Sequence, residues 1–176
     1  MREYKTTPDQ RALASKLFEL DQDNLFYIVS QPHEKKKNHT IKELKKHIKG
    51  GLKTYTQKFL GYDYFKGAEN ELFKYIAFIE YPKEYYLALS RPDEDITSLY
   101  SGAHFHLFIT PKLTSIVNME QVSSQILIQL CKQKLKADSI RKFSCNKVIG
   151  LTKEFAEYHT KQHYQYIDKE RIMINL

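Results

Sequence analysis

Apolar positions recur along this chain with two periods, one of a helix and one of a strand, and the changes of period mark the elements. Leu13, Leu17 and Leu20 fall at helical spacing behind Thr7-Pro8-Asp9-Gln10. There Thr7 caps, Pro8 fits the first helical position and Gln10 completes a capping box. This predicts a helix from Pro8 to about Leu20. Asp21-Gln22-Asp23-Asn24 reads as a turn, and Leu25-Phe26-Tyr27-Ile28-Val29 as a short central strand of β-forming residues. Pro32 to Asn38 is a polar, basic loop. Thr40 and Glu43 make a second capping box, behind which Ile41, Leu44, Ile48, Leu52, Tyr55 and Phe59 recur at spacings of 3, 4, 4, 3 and 4. That pattern predicts an amphipathic helix ending near Gly61. Gly50-Gly51 in its middle costs about 1 kcal/mol per glycine relative to Ala, so a kink or break is expected there.

The run Tyr75 to Tyr81 predicts the clearest strand, with 76, 78 and 80 on one side and 75, 77, 79 and 81 on the other. Pro82 to Gly102 reads as a long irregular connection. His104 to Ile109 predicts a second strand, stopped by Pro111 and pairing antiparallel with the first. Asn118 caps a third helix whose buried stripe is Met119, Val122, Ile126 and Leu130. Lys142 to Ile149 reads as a strand, and Thr152 opens a final helix through Phe155, Tyr158 and Gln162. The order helix, β, α, β, β, α, β, α predicts an α+β fold, a largely antiparallel sheet with helices on at least one face. No repeat or composition shift divides the chain. It reads as one domain over 1–176, with a helical appendage over 1–24 and a core over 25–166.

Composition narrows the partners. The 176 residues carry 28 Lys+Arg, only five of them Arg, against 21 Asp+Glu, for a formal charge of +7. With 13 Tyr and 10 Phe, this suits phosphate neutralisation and base stacking on a nucleic acid. The lysines at 42, 45, 46, 49 and 53 crowd one helix face and read as a solvated surface in preference to a specific phosphate track. Cys131 and Cys145 are too few for a disulfide framework or a cysteine zinc cluster, and read as reduced thiols. No apolar run approaches membrane-spanning length, the first residues lack a signal-peptide core, and no P-loop appears. A cytoplasmic protein, or one inside a host cell, is expected.

Three features carry chemistry. His104 and His106 are two apart on a strand, so both imidazoles project to one side and suit a divalent metal. The alternative is one buried structural histidine and one incidental. Glu80 stands in phase with the core candidates Ile76 and Phe78, where a carboxylate is costly unless paired or bound to a cation. The alternative is a strand-end residue leaning into solvent. If the two strands pair, Glu80 joins the histidines as a third ligand. Tyr158 and Lys161 share a helix face at i, i+3, placing a nucleophilic phenol near an ammonium. Such pairs also arise by chance.

Together "LFYIVSQP", "YIAFIEY", "AHFHLFI" and "YHTK" resemble, in order and spacing, the HUH endonucleases, and in particular the nuclease domains of rolling-circle replication initiator (Rep) proteins. The resemblance spans about Leu25 to Gln165. It implies a Rep-like fold with the HUH motif on a central strand. It also implies Mg²⁺ or Mn²⁺ on His104, His106 and Glu80, with Tyr158 as nucleophile and Lys161 as its cationic helper. The activity implied is nicking and rejoining of single-stranded or hairpin origin DNA through a 5′-phosphotyrosine. A host helicase and polymerase would be partners, and no membrane. The segment between Glu80 and His104 is longer than in many members, which makes Asp93, Glu94 and Asp95 fallback ligands. Tyr164 is the fallback nucleophile, and Tyr166 lies nearby. A single-tyrosine transposase or relaxase would use the same core. A non-catalytic basic DNA-binding protein is the alternative of another class.

Overall fold

Both predicted capping boxes form. Thr7 Oγ1 accepts from Gln10 N while Gln10 Oε1 accepts from Thr7 N, and Thr40 and Glu43 make the same reciprocal pair. The computed structural model describes residues 7–32, 39–61, 72–81, 103–132, 140–161 and 171–176. In chain order the elements are α1 (Pro8–Leu17), a short 3-10 turn (Gln22–Asn24), β1 (Phe26–Pro32), α2 (Ile41–Leu60), β2 (Phe73–Glu80) and β3 (His104–Pro111). There follow α3 (Met119–Leu130), β4 (Ile140–Lys147), α4 (Lys153–Lys161) and β5 (Ile172–Asn175). Helix α1 stops at Leu17, short of the predicted Leu20. The Gln22 side-chain amide donates to the Leu17 and Leu20 carbonyls and satisfies that end.

The strands form one antiparallel sheet in the order β4-β1-β3-β2-β5. Strand β5 is absent from the sequence reading. Four residues are too few for a period to register, and its partner β2 lies far back in the chain. The expected loop at Pro32–Asn38 falls mostly, and that at Pro82–Gly102 wholly, outside the described residues.

Helices cover both faces, each over its own core. One core joins Ile28, Tyr75, Ala77, Ile79, Phe105, Leu107 and Ile109 of the sheet to Leu44, Ile48 and Leu52 of α2 and Val122 and Ile126 of α3. The other joins Ile76, Phe78 and Phe108 to Leu13, Ala14 and Leu17 of α1 and Ala156 of α4. Covered on both sides, β2 reads as a nearly unbroken apolar run.

Gly50-Gly51 neither kinks nor breaks α2, which is helical throughout. The glycines serve packing instead. A Cβ on Gly51 would stand 2.6 Å from Ile126 Cα, so only glycine lets α3 approach α2 this closely. Tyr55 of α2 also accepts a hydrogen bond from Asn118 N at the start of α3.

Candidate metal centre

Register decides the site. In β2–β3, Glu80 pairs with His104 and Phe78 with His106. Directly opposed residues of an antiparallel pair point to the same face, so Glu80, His104 and His106 all project from the face covered by α1 and α4. The entry to β3 is tied down just before His104. Ala103 N donates to the His39 carbonyl at 2.9 Å, and His39 Nε2 lies 3.2 Å from the Leu130 carbonyl.

Glu80 is 1% exposed. Its Oε1 lies 3.2 Å from His104 Nε2 and 3.3 Å from His106 Nε2. One ligand atom from each of the three residues falls within 4.8 Å of the others. Burial works against ionising Glu80, but the two imidazoles facing it prevail and hold its carboxyl at about 2. Burial acts on His106 in the opposite sense, pulling its pKa below the ordinary value against the attraction of Glu80. At neutral pH the pair is therefore a carboxylate beside a neutral imidazole, not a salt bridge. Although His106 Nε2 is within ion-pair distance of Glu80, it is not aligned as a hydrogen bond. It and His104 Nδ1 are buried nitrogens without a hydrogen-bond partner among the described residues.

This donor set fits a divalent cation. An ionised carboxylate and two imidazoles offer oxygen and nitrogen donors, and a cation between them would compensate a carboxylate otherwise costly to bury. Glu80, His104 and His106 can thus hold a metal ion, as the strand phases predicted.

The surrounding shell is aromatic. The Tyr27 hydroxyl on β1 is hydrogen-bonded to His106 Nδ1. Burial, then the charge of Glu80 and the nearby Tyr158, push the Tyr27 phenol well above its ordinary value, so it keeps its proton. Tyr27 packs against Phe108, Phe155 and His159, at ring-centroid distances of 4.9, 5.8 and 5.4 Å.

Helix α4 lies over this face. Thr152 Oγ1 accepts from Phe155 N and opens the helix. Ala156, His159 and Thr160, at i, i+3 and i+4, are its buried stripe. The His159 ring is 4.6 Å from that of His106, and neither of its nitrogens has a hydrogen-bond partner among the described residues. Burial, with His106 acting in the same sense, pulls His159 down to about 3, so it stays neutral. Next to it Tyr158 turns outward and is 54% exposed. Lys161 is the last residue of α4. The fallback residues Asp93, Glu94, Asp95, Tyr164 and Tyr166 lie outside the described residues.

The sequence reading missed Tyr27 and His159. His159 could have been found as a polar residue in helical phase with Ala156. Tyr27 had no such signal, because the run Leu25 to Val29 is apolar at every position and hides which face each residue takes.

Comparisons with protein-family models, curated proteins and solved structures give no match for this chain. No helix among the described residues is long and apolar enough to cross a membrane.

Proposed function

We propose that this chain is a metal-dependent, site-specific single-stranded DNA endonuclease and strand transferase of the HUH type, acting to initiate rolling-circle replication. The observation that carries the reading is the convergence of Glu80, His104 and His106 on the sheet face beneath the helix bearing Tyr158. The basic charge and abundant tyrosines of the chain suit a polyanionic, stackable substrate.

Glu80, His104 and His106 would hold the ion, Mg²⁺ or Mn²⁺. When bound, it would act as a Lewis acid on a non-bridging oxygen of the scissile phosphate. Tyr158 is the nucleophile. Its oxygen forms a bond to phosphorus as the bond from phosphorus to the 3′-oxygen breaks. The phenolic proton is lost to solvent and the departing 3′-oxygen gains one. The products are a 5′-phosphotyrosyl strand and a free 3′-OH that a polymerase can extend. Attack of a 3′-OH on the adduct runs the step backwards and rejoins DNA. Lys161, one turn beyond Tyr158, is assigned the charge that steadies the phosphate.

The reading is tested by incubating the protein with hairpin and single-stranded oligonucleotides, with Mn²⁺ or with chelator, and resolving products on a denaturing gel. The expected result is metal-dependent cleavage with a covalent protein–DNA band that Tyr158→Phe removes while DNA binding persists. Binding without cleavage in any metal, falling steeply with salt, would instead assign a non-catalytic DNA-binding role.

A further inference from the structure

We propose that Tyr27 is a positioning residue of the metal centre: its hydroxyl holds His106 in the tautomer that turns the Nε2 lone pair toward the ion. The inference rests on reading Glu80, His104 and His106 as a metal site. It does not depend on DNA cleavage.

A neutral imidazole carries one N–H, on Nδ1 or on Nε2. The His106 nitrogen beside Glu80 is Nε2, at 3.3 Å, and it has no aligned hydrogen-bond partner among the described residues. For Nε2 to ligate a cation, the proton must sit on Nδ1 and find an acceptor there. The group bonded to Nδ1 is the Tyr27 hydroxyl. Without it, metal binding would leave a buried N–H unpaired at the full cost of its desolvation.

A phenol is also suited to both states of the site. A hydroxyl donates or accepts by rotating its hydrogen. With no ion present, Nε2–H can face the Glu80 carboxylate while Tyr27 O–H donates to Nδ1. With an ion present, Nδ1–H donates to the Tyr27 oxygen. The proton exchanges between ring nitrogens through solvent, with no net gain or loss, and the ring need not turn over. A carbonyl or carboxylate at this place could only accept.

Tyr27 is held for this role from two sides. Its cross-strand partner Phe108 packs on it from β3, and Phe155 and His159 pack on it from α4. His104 differs, since its Nδ1 has no hydrogen-bond partner among the described residues. The protein therefore fixes one imidazole of the pair and leaves the other to the ion.

The experiment titrates Mn²⁺ into wild type and Tyr27→Phe by calorimetry. It also melts both proteins without metal, and reads the His106 tautomer by ¹⁵N NMR with Mg²⁺. The expected result is Mn²⁺ affinity weakened about 10–100-fold in the variant, with a metal-free melting temperature lowered by no more than the few degrees that one lost hydrogen bond costs. In Mg²⁺-loaded wild type, His106 should be protonated at Nδ1. Affinity within about twofold of wild type, or protonation at Nε2 in the loaded protein, would overturn the proposal. A large fall in the metal-free melting temperature would assign Tyr27 to packing instead. Wild type that binds no Mn²⁺ would overturn the metal-site reading and this inference with it.

Discussion

Glu80 stands directly across the β2–β3 ladder from His104, and the same Oε1 atom lies 3.2 Å from His104 Nε2 and 3.3 Å from His106 Nε2. A single carboxylate oxygen thus faces two imidazoles inside the fold. Glu80 is ionised at that point, while burial lowers the His106 pKa below its ordinary value. Glu80→Gln preserves the shape and removes the charge. It should weaken Mn²⁺ binding by more than about tenfold, or about 1.4 kcal/mol. The metal-free protein should also lose stability at neutral pH, since the lowered Glu80 carboxyl marks a charge that the fold stabilises. Calorimetric titration and thermal melts of the same variant check both expectations.

Acid should destabilise the metal-free protein in a defined window. His159 titrates at about 3 when folded, against an ordinary 6.5. Between these values the unfolded chain binds a proton that the folded protein does not. Stability therefore falls as pH drops from about 6.5 toward 3, and His106, also lowered, acts in the same sense. Glu80 adds to the loss at the acid end, because its depressed carboxyl gives up its stabilising charge only between the ordinary 4.5 and about 2. Denaturant midpoints measured across pH should show this slope. His159→Leu should flatten it between 6.5 and 3.

The two adjacent glycines of α2 should behave oppositely. At Gly51 an added methyl meets Ile126 Cα and Cγ1 at 2.6 Å, so Gly51→Ala forces α2 and α3 apart and should cost about 1–3 kcal/mol. At Gly50 the nearest atom is Gln129 Oε1, the far end of a long side chain, at 3.4 Å, an ordinary contact distance. Gly50→Ala should therefore be neutral, or stabilise by up to about 1 kcal/mol through helix propensity. Urea midpoints of the two variants separate these outcomes.

Asn118 carries the start of α3. Its Oδ1 accepts from the N–H groups of Glu120 and Gln121, so Asn118→Ala should lower stability by about 1 kcal/mol. Asn118→Ser or Asp should restore most of the loss in the same melt.

Local rules were legible in this chain, and of the long-range ones the β2–β3 pairing alone was expected. The caps at Thr7, Thr40 and Asn118 are each decided within four residues, and all three form. The alternation of Ile76, Phe78 and Glu80 against Ala77 and Ile79 also showed in the sequence, and with it the phase that turns Glu80 toward the histidines. The antiparallel pairing of β2 with β3 was expected from the sequence and forms; what spacing could not give was its register. That Glu80 meets His104 and Phe78 meets His106 follows from register between strands separated by a long connection. The same limit hid Tyr27, whose neighbours arrive from β3 and α4. It also hid the purpose of Gly51, which looks like a helix-breaker until Ile126 is packed against it.

The central claim is that Tyr158 becomes covalently joined to DNA at a metal site built from Glu80, His104 and His106. Its most direct test is mass spectrometry of the protein digested after reaction with an origin-type hairpin and Mn²⁺. The account predicts one peptide, containing Tyr158, that carries a 5′-phosphonucleotide. That peptide should be absent with chelator and absent from the His106→Ala protein. Cleaved DNA with no modified Tyr158, or an adduct that forms equally well without metal, would contradict it.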